Sequence, residues 1–456
     1  MRRIPQSAWL LAALSGVLQI LCFPSPSLYF VSWFAVTPLL LAILGPLSRS
    51  GPQLVDEKGR PLGILSAGQG FWLGYLSGVL WYAGTCFWVY HSMHVYGGLD
   101  PAVSTGILIL FCLYLALYHG LFGALLAKSA QGSTGSKRAI LLTPFLWVLV
   151  ELARARVTGF PWDLLGTAQV DNIPLAQLGR FTGVYGISFG IMMVNAAFAA
   201  AFLLPRHARR TLLASSMVAA AVLQLGSLVD PPGLPAAYSA RLVQQNIPIE
   251  TAWDVPTFRQ TLQQLRALSV PPGPALVIWP ESPAPFYLTD PIFREEVTAV
   301  AVESHAFVIA GSLGTPEMHA TEDRGKLYNS AALVTPAGTW TARYDKVHLV
   351  PFGEYVPFKS VFGFAEKLTR AVGDFSPGTQ RTVFAAGGQK VGVFICYESV
   401  FPDEIREFAR NGAQVFVNIS NDGWFGEYGA PGQHLNMARM RAIENERWVL
   451  RATNTG

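Results

Sequence analysis

Charged side chains are scarce in this sequence, and the shortage is uneven. Asp, Glu, Lys and Arg make up 14% of the 456 residues, whereas 51% are hydrophobic; soluble domains carry roughly 25% charged residues. Up to about residue 230 the chain is dominated by Leu, Ala, Phe and Trp, and beyond about residue 238 it has the composition of a soluble domain. We therefore predict a membrane-embedded first half and a soluble second half.

Cysteine is also rare. Cys22, Cys86 and Cys112 lie in apolar segments, where a thiol usually behaves as a small hydrophobic side chain. Cys396 is the only cysteine of the second half, which excludes a disulfide within that half. The sequence also lacks a His/Cys cluster with metal-ligand spacing and a glycine-rich phosphate loop, so we expect neither a metal nor an organic cofactor.

A basic stripe with interleaved aromatic residues is missing too, although the net charge is +4. The Lys and Arg residues of the first half lie in short loops between apolar segments, which is a signal of membrane topology. We therefore expect no nucleic-acid partner.

The first half contains seven apolar segments near the length of about 20 residues that a spanning helix needs. They cover residues 8–23, 28–45, 69–90, 103–127, 139–153, 183–204 and 211–229. Arg2 and Arg3 precede the first segment, the second, fourth and sixth loops are basic, and the first and third loops have no Lys or Arg. The fifth loop, 154–182, carries Arg154, Arg156 and Arg180. Because basic loops stay in the cytoplasm, seven crossings place the second half outside, in the periplasm of a double-membraned bacterium.

Two aromatic segments allow two interpretations each. Trp162, in GFPWDLLG (159–166), is either an anchor at the membrane interface or part of a cleft shared with the soluble half. The segment 357–368, PFKSVFGFAEKL, is either a lipid-contacting lid or an amphipathic helix packed on the core.

The second half alternates strand-like and helix-like segments, which predicts an α/β domain. The predicted strands cover 240–247, 275–280, 306–313, 329–336, 339–346, 391–396 and 413–420, and the predicted helices 255–268, 291–304, 402–411 and 433–448. Glu281, Lys346 and Cys396 each lie at the exit of a predicted strand. Because catalytic groups gather at strand ends in α/β sheets, we expect these three to meet.

Such a trio has a clear chemistry. A thiolate is a nucleophile, a nearby carboxylate accepts the thiol proton, and an ammonium stabilises an oxyanion at the attacked carbonyl. Each residue alone has an ordinary structural explanation: a solvated glutamate, a paired lysine, an inert buried thiol.

The segments VIWPES, YDKVHLVPFGEYVP, VGVFICYES and NISNDGWFG resemble motifs of the nitrilase (carbon–nitrogen hydrolase) superfamily, which holds a Glu-Lys-Cys triad in an αββα sandwich. With the apolar first half, and with GFPW, QQNIPIETAWD and QHLNMARMRAIENERWVLRATNTG, the chain is similar to the apolipoprotein N-acyltransferase family over nearly its whole length. The resemblance implies a multi-pass α-helical membrane domain (1–230), a linker (231–239) and a nitrilase-like αββα catalytic domain (240–456).

The resemblance also implies roles for individual residues. Glu281 matches the general base, Lys346 the oxyanion-stabilising lysine and Cys396 the acylated nucleophile. The supporting residues that it implies are Glu354, Tyr397 and Glu398. Trp253 and Trp424 match tryptophans on loops at the mouth of the site, and their alternative interpretation is aromatic packing.

The implied reaction moves an acyl chain in two steps. The donor is a phospholipid, phosphatidylethanolamine in particular, and the acceptor is the N-terminal amine of a diacylglyceryl-cysteine apolipoprotein at the bacterial inner membrane. Two alternatives stay open: a membrane-tethered amidase of the nitrilase type, and a non-catalytic membrane scaffold. The family continues beyond the RATNTG motif with further strands and an eighth spanning helix, so we expect those elements to be lacking here.

Overall fold

A computed structural model describes residues 3–45, 65–131, 135–203, 206–228, 238–271, 273–316, 326–355 and 375–456. Three predicted features lie wholly or mostly outside these residues. They are the linker except for its last two residues, the segment 357–368, and most of the loop between the second and third apolar segments. The chain divides into two compact units. The first contains the described residues up to Tyr90, those of 101–228, and Tyr428–Glu444; the second contains His91–Asp100, the described residues of 238–427, and Asn445–Gly456.

The first unit is helical. Its helices are α1 (Gln6–Leu21), α2 (Thr37–Leu44), α3 (Ala67–Thr85), α4 (Trp88–His91), α5 (Pro101–Ser129), α6 (Gly135–Val157), α7 (Ile173–Ala176), α8 (Gly179–Leu203) and α9 (Arg206–Gln224). Short 3-10 helices cover Tyr29–Trp33, Leu165–Gln169 and Leu225–Leu228. Each of the seven predicted apolar segments is thus largely helical. Within the described residues, α5 and α8 are the two helices long and apolar enough to cross a membrane.

The second predicted segment, 28–45, is not the single helix that its apolar run suggested. It splits into Tyr29–Trp33 and α2, and the side chain of Asn195 on α8 fills the break. Asn195 Oδ1 accepts the backbone N–H groups of Val36 and Thr37 at 2.9 and 3.0 Å, and its Nδ2 donates to Ser32 O at 2.8 Å. These bonds satisfy the backbone groups that the break leaves without a helical partner.

Helices α3 and α5 approach each other through glycines. A Cβ atom at Gly74 would lie 2.1 Å from the carbonyl oxygen of His119, and one at Gly123 would lie 2.1 Å from that of Gly70. Small residues at four-residue spacing allow two helix backbones to pack this closely, as in membrane helix pairs. The glycines therefore set the distance between α3 and α5.

Helix α13 (Ala430–Asn445) comes from the second half of the sequence, yet most of it belongs to the first unit. Gln433 on this helix donates through Nε2 to Pro24 O at 2.7 Å and to Thr85 O at 3.2 Å. Its Oε1 accepts the indole N–H of Trp162 at 2.7 Å. Trp162, for which an interface anchor or a cleft was considered, is buried in this unit and bound to Gln433.

The second unit contains two β-sheets. Strands β1 (Ala240–Leu242), β2 (Leu276–Ile278), β3 (Phe307–Gly314), β4 (Tyr328–Val334) and β5 (Trp340–Asp345) form the first sheet in that order. Strands β6 (Val383–Ala386), β7 (Gln389–Ile395), β8 (Val415–Ser420) and β9 (Val449–Thr453) form the second. The first three strands of the first sheet and the last three of the second are parallel, and the remaining pairs are antiparallel.

Helices cover the outer faces of the two sheets, which lie against each other through β4 and β7. Helices α10 (Val255–Ser269) and α11 (Pro291–Ser304) share an apolar core with β2 and β3, and α12 (Pro402–Arg410) packs on β7 through Phe408. The predicted nitrilase-like αββα sandwich is confirmed.

Several predicted elements need correction. The strand expected over 240–247 ends at Leu242, and the helix expected over 433–448 is α13, which begins and ends three residues earlier. Strands β6 and β9 were not predicted. Gly387 and Gly388 form the turn between β6 and β7, and both have positive φ (58° and 81°), as a two-residue hairpin of type I′ requires. The Gly-Gly pair is the sequence signal for this hairpin.

Candidate active site

The three predicted catalytic residues follow the ends of three strands. Glu281 comes three residues after β2, Lys346 directly follows β5, and Cys396 directly follows β7. All three are buried, with 7%, 1% and 8% of their surface exposed. Charged side chains are almost never this buried unless they are paired, so their partners decide what the site does.

Lys346 is paired with two carboxylates. Its Nζ lies 2.9 Å from Glu354 Oε1 and 3.5 Å from Glu281 Oε1. Burial alone would lower the pKa of Lys346, but Glu354 and Glu281 outweigh it and raise the pKa above its ordinary value. The lysine is therefore an ammonium, and the carboxylates of Glu354 and Glu281 hold it in place.

Asn329 was not predicted as part of this cluster. Its Nδ2 donates to Glu281 Oε1 at 2.7 Å and to Glu354 Oε1 at 2.8 Å, and its backbone O accepts the N–H of Lys346 at 2.8 Å. In the sequence it is only the polar first residue of a predicted strand, which is not a signal for catalysis. Its neutral amide separates two carboxylates that would otherwise repel each other or share a proton.

The other oxygen of Glu281 is held by the backbone. Glu281 Oε2 accepts the N–H of Asn421 at 2.9 Å. Gly311 on β3 makes room for the turn at Glu281, because a Cβ there would lie 2.3 Å from Pro280 O. Ser282, the next residue, has a φ of 35°, in the left-handed region that L-residues seldom occupy.

Cys396 has a strained backbone as well, with a φ of 49° at the sharp turn from β7 into the 3-10 helix Cys396–Val400. Burial raises the pKa of its thiol, the Glu281 carboxylate adds to this rise, and the Lys346 ammonium opposes it. The thiol is therefore protonated at neutral pH. A base must remove its proton before it can attack.

Glu398 binds the backbone next to Lys346 and next to Cys396. Its Oε1 accepts the Tyr344 hydroxyl at 2.6 Å and the N–H groups of Val347 and His348 at 2.7 and 3.1 Å, and its Oε2 accepts the N–H of Ile395 at 2.7 Å. Burial raises the pKa of Glu398 to about 7, against the effect of the hydrogen bonds from Ile395, Tyr344 and His348 and of the Lys346 charge. Glu398 thus ties the segment after Lys346 to the segment before Cys396.

The remaining predicted site residues lie around this core. Tyr397 is buried and its ring contacts that of Phe401, with centroids 5.1 Å apart. Trp253 is partly exposed, at 38%. Trp424 accepts a hydrogen bond from Ser92 through its backbone O at 2.7 Å, and its ring lies against that of Tyr96. Across the described ranges, no group of three or more His, Cys, Asp or Glu residues is arranged to hold a metal ion.

Two family profiles and a solved structure are similar to parts of this chain. Residues 15–197 match the family profile described as apolipoprotein N-acyltransferase N-terminal domain, and residues 239–456 match the profile described as carbon-nitrogen hydrolase. Among solved structures, the chain is similar to Saccharomyces cerevisiae Nit3, a member of the nitrilase superfamily, at 22% identity. The match covers 48% of this chain and 75% of that one, with a TM-score of 0.36.

Two curated relatives cover much more of the chain. The apolipoprotein N-acyltransferase of Geobacter metallireducens is 37% identical over 99% of this chain and 85% of its own length. That of Methylococcus capsulatus is 35% identical over 84% of this chain and 75% of its own length. The chain therefore belongs to the apolipoprotein N-acyltransferase family.

Proposed function

We propose that this protein transfers a fatty acyl chain from a phospholipid to the N-terminal α-amine of a diacylglyceryl-cysteine apolipoprotein, through a thioester on Cys396. Family membership supports the acyltransfer to a lipoprotein. The observation that carries the chemistry is the buried cluster at the strand ends, in which Lys346 pairs with Glu354 and Glu281, and the charges of Glu281 and Lys346 act on the Cys396 thiol.

In the first step Glu281 takes the thiol proton as Cys396 Sγ attacks the ester carbonyl of the donor. Lys346 stabilises the oxyanion of the tetrahedral intermediate. The C–O bond to the glycerol then breaks, Glu281 returns the proton to the leaving alkoxide, and a lysophospholipid departs. The acyl chain remains on Cys396 as a thioester, which is the covalent intermediate of a ping-pong mechanism.

In the second step the acceptor's α-amine attacks the thioester carbonyl. Glu281 takes a proton from the amine, the C–S bond breaks, and the sulfur recovers its proton while the amide leaves. Water competes with the amine for the thioester. The 8% exposure of Cys396 supports a covered nucleophile, which favours the amine over hydrolysis.

The two lipid substrates explain a membrane half. Each CH₂ group pulled from lipid into water costs about 0.8 kcal/mol, so a site at the bilayer surface lets the acyl chains stay in lipid. We place residues 1–230 in the bacterial inner membrane as a multi-pass domain and residues 240–456 on the periplasmic side. The apolar helices α5 and α8 and the distribution of basic loops support this arrangement.

Mass spectrometry of the intact protein tests the reaction. After incubation with phosphatidylethanolamine vesicles, the wild-type protein should gain the mass of one acyl chain, and Cys396→Ala should gain none. Adding a diacylglyceryl-cysteine peptide should discharge the adduct and produce a peptide with a third acyl chain. If the protein hydrolyses small amides without ever forming the acyl adduct, the amidase alternative replaces this proposal.

The orientation has its own test. A periplasm-dependent reporter fused after Gly233 should be active, and the same reporter fused after Arg60 should be inactive. Equal activity at both positions would contradict the proposed topology.

A further inference from the structure

Asn454 is a deeply buried amide that the proposed reaction does not use. It follows β9, and its backbone N–H donates to Ser420 O at 3.2 Å, which continues the pairing of β9 with β8 by one residue. Only 3% of its surface is exposed. A buried polar side chain is retained through its hydrogen bonds, so its partners indicate its role.

The Asn454 side chain binds the backbone of Ile247 at both polar groups. Oδ1 accepts the N–H of Ile247 at 3.0 Å, and Nδ2 donates to Ile247 O at 2.7 Å. The backbone O of Asn454 also accepts the N–H of Asn246 at 2.9 Å. These bonds hold the start of the segment Asn246–Trp253, which lies beyond the end of β1 at Leu242.

The same amide reaches the loop that binds the general base. Nδ2 of Asn454 donates to Asn421 Oδ1 at 3.3 Å, and the N–H of Asn421 is the one bound to Glu281 Oε2. The same two segments also lie close together at Gly423, where an added Cβ would lie 3.1 Å from the side chain of Ile249. Asn454 thus lies where the Asn246–Trp253 segment meets the loop that holds Glu281.

We infer that Asn454 is a positioning residue, which holds the Asn246–Trp253 segment and the Asn421 N–H in the single arrangement that orients Glu281. The inference rests on the proposed function, in which Glu281 is the base for both steps. Asparagine suits the position because it supplies one acceptor and two donors at once. Aspartate has the same shape but lacks both donors when ionised.

Asn454→Asp tests the inference through its pH dependence. At pH 8 the ionised carboxylate faces two acceptor oxygens, Ile247 O and Asn421 Oδ1, and we expect thioester formation to be about tenfold slower than in the wild type. As the pH falls, the protonated acid regains an O–H that donates to one of them. The ratio of the variant rate to the wild-type rate should therefore rise several-fold between about pH 8 and pH 5.5.

Asn411→Asp is the matched control, because Asn411 is exposed and its Nδ2 binds a single carbonyl, that of Arg381, at 3.0 Å. Its rate should equal that of the wild type at both pH values. Asn421→Ala is the second variant: it removes the acceptor Oδ1 but keeps the N–H that binds Glu281. It should also slow thioester formation, and Asn454→Asp should add little to it in the double variant at pH 8.

Each outcome of these measurements either supports or overturns the inference about Asn454. A wild-type rate in Asn454→Asp, a rate ratio that is flat with pH, or effects of the two variants that multiply would each overturn the inference. If Asn454→Asp fails to show a cooperative thermal transition, Asn421→Ala decides alone, and a wild-type rate there overturns the inference. If the wild-type protein itself forms no acyl adduct, the proposed function fails instead.

Discussion

Replacing Glu354 by glutamine tests whether the second carboxylate of the cluster serves catalysis through Lys346. Glu354 Oε1 accepts hydrogen bonds from Lys346 Nζ at 2.9 Å and from Asn329 Nδ2 at 2.8 Å. Its Oε2 accepts the backbone N–H of Val350 at 2.7 Å. Glutamine keeps one acceptor oxygen, removes the charge, and turns an amide donor toward the donor of Val350. Within the described part of the chain, Lys346 is then left with Glu281 as its carboxylate partner, so one charge instead of two holds the ammonium that stabilises the oxyanion.

The magnitude follows from the loss of the carboxylate charge in the hydrogen bond between Glu354 and Lys346. A hydrogen bond to a charged group contributes about 1.5–3 kcal/mol, and each 1.36 kcal/mol in a barrier is a factor of ten in rate. Glu354→Gln should therefore slow thioester formation by about 10- to 150-fold. The assay is a single-turnover reaction with phosphatidylethanolamine vesicles, quenched at intervals and followed by intact mass.

Glu296→Gln is the control for the same chemical change. Glu296 forms an ion pair with Arg266 at 3.3 Å near the surface, where such pairs contribute about 0–1 kcal/mol. This variant should acylate at the wild-type rate. The reasoning is refuted if Glu354→Gln, folded as judged by thermal melting, forms the thioester within about twofold of the wild-type rate.

Three further outcomes are expected. Gly74→Val places a side chain against the His119 carbonyl and should destabilise the first unit by about 1–3 kcal/mol, measured by thermal melting in detergent. Gly106→Val is the control, because a Cβ at Gly106 would have no atom within 4 Å, and it should not have this effect. Equal melting of the two variants would contradict the close approach of α3 and α5. Because burial raises the pKa of Cys396, its alkylation by iodoacetamide should stay slow between about pH 7 and 9, and an inflection near the ordinary thiol value of about 8.5 would speak against this. Because burial raises the pKa of Glu398 from 4.5 to about 7, this residue contributes stability that is fully present below about pH 4.5 and lost as the pH rises through 7. The loss, as much as about 3 kcal/mol, should lower the melting temperature over that range, and Glu398→Gln should flatten the slope; an unchanged slope would count against the shift.

The sequence was most informative where specific residues mark the end of a helix or strand. Predicted helices 255–268 and 291–304 agree with α10 and α11 to within one residue, because proline after an aspartate cap marks each start. The strand exits likewise located Glu281, Lys346 and Cys396, since a polar residue after an apolar run is visible in the sequence alone.

The hydrogen bonds of buried asparagine side chains could not be predicted from the sequence. Asn195, Asn329 and Asn454 act through hydrogen bonds to residues between 25 and 207 positions away in the chain. A lone asparagine carries no periodicity and no charge, so its partners appear only when the chain is folded. Strand β9 was missed for a different reason: the helix predicted over 433–448 was extended to the residue directly before it, and the burial along β9 does not alternate.

Helix α13 limits how this protein can be divided. Gln433 joins three separate stretches of the apolar half, at Pro24, Thr85 and Trp162, although it lies within the stretch that matches the hydrolase profile. Splitting the gene at the linker would take that amide away from all three. A chimera that grafts a soluble hydrolase onto residues 1–230 would have to bring its own version of this helix to supply those three hydrogen bonds.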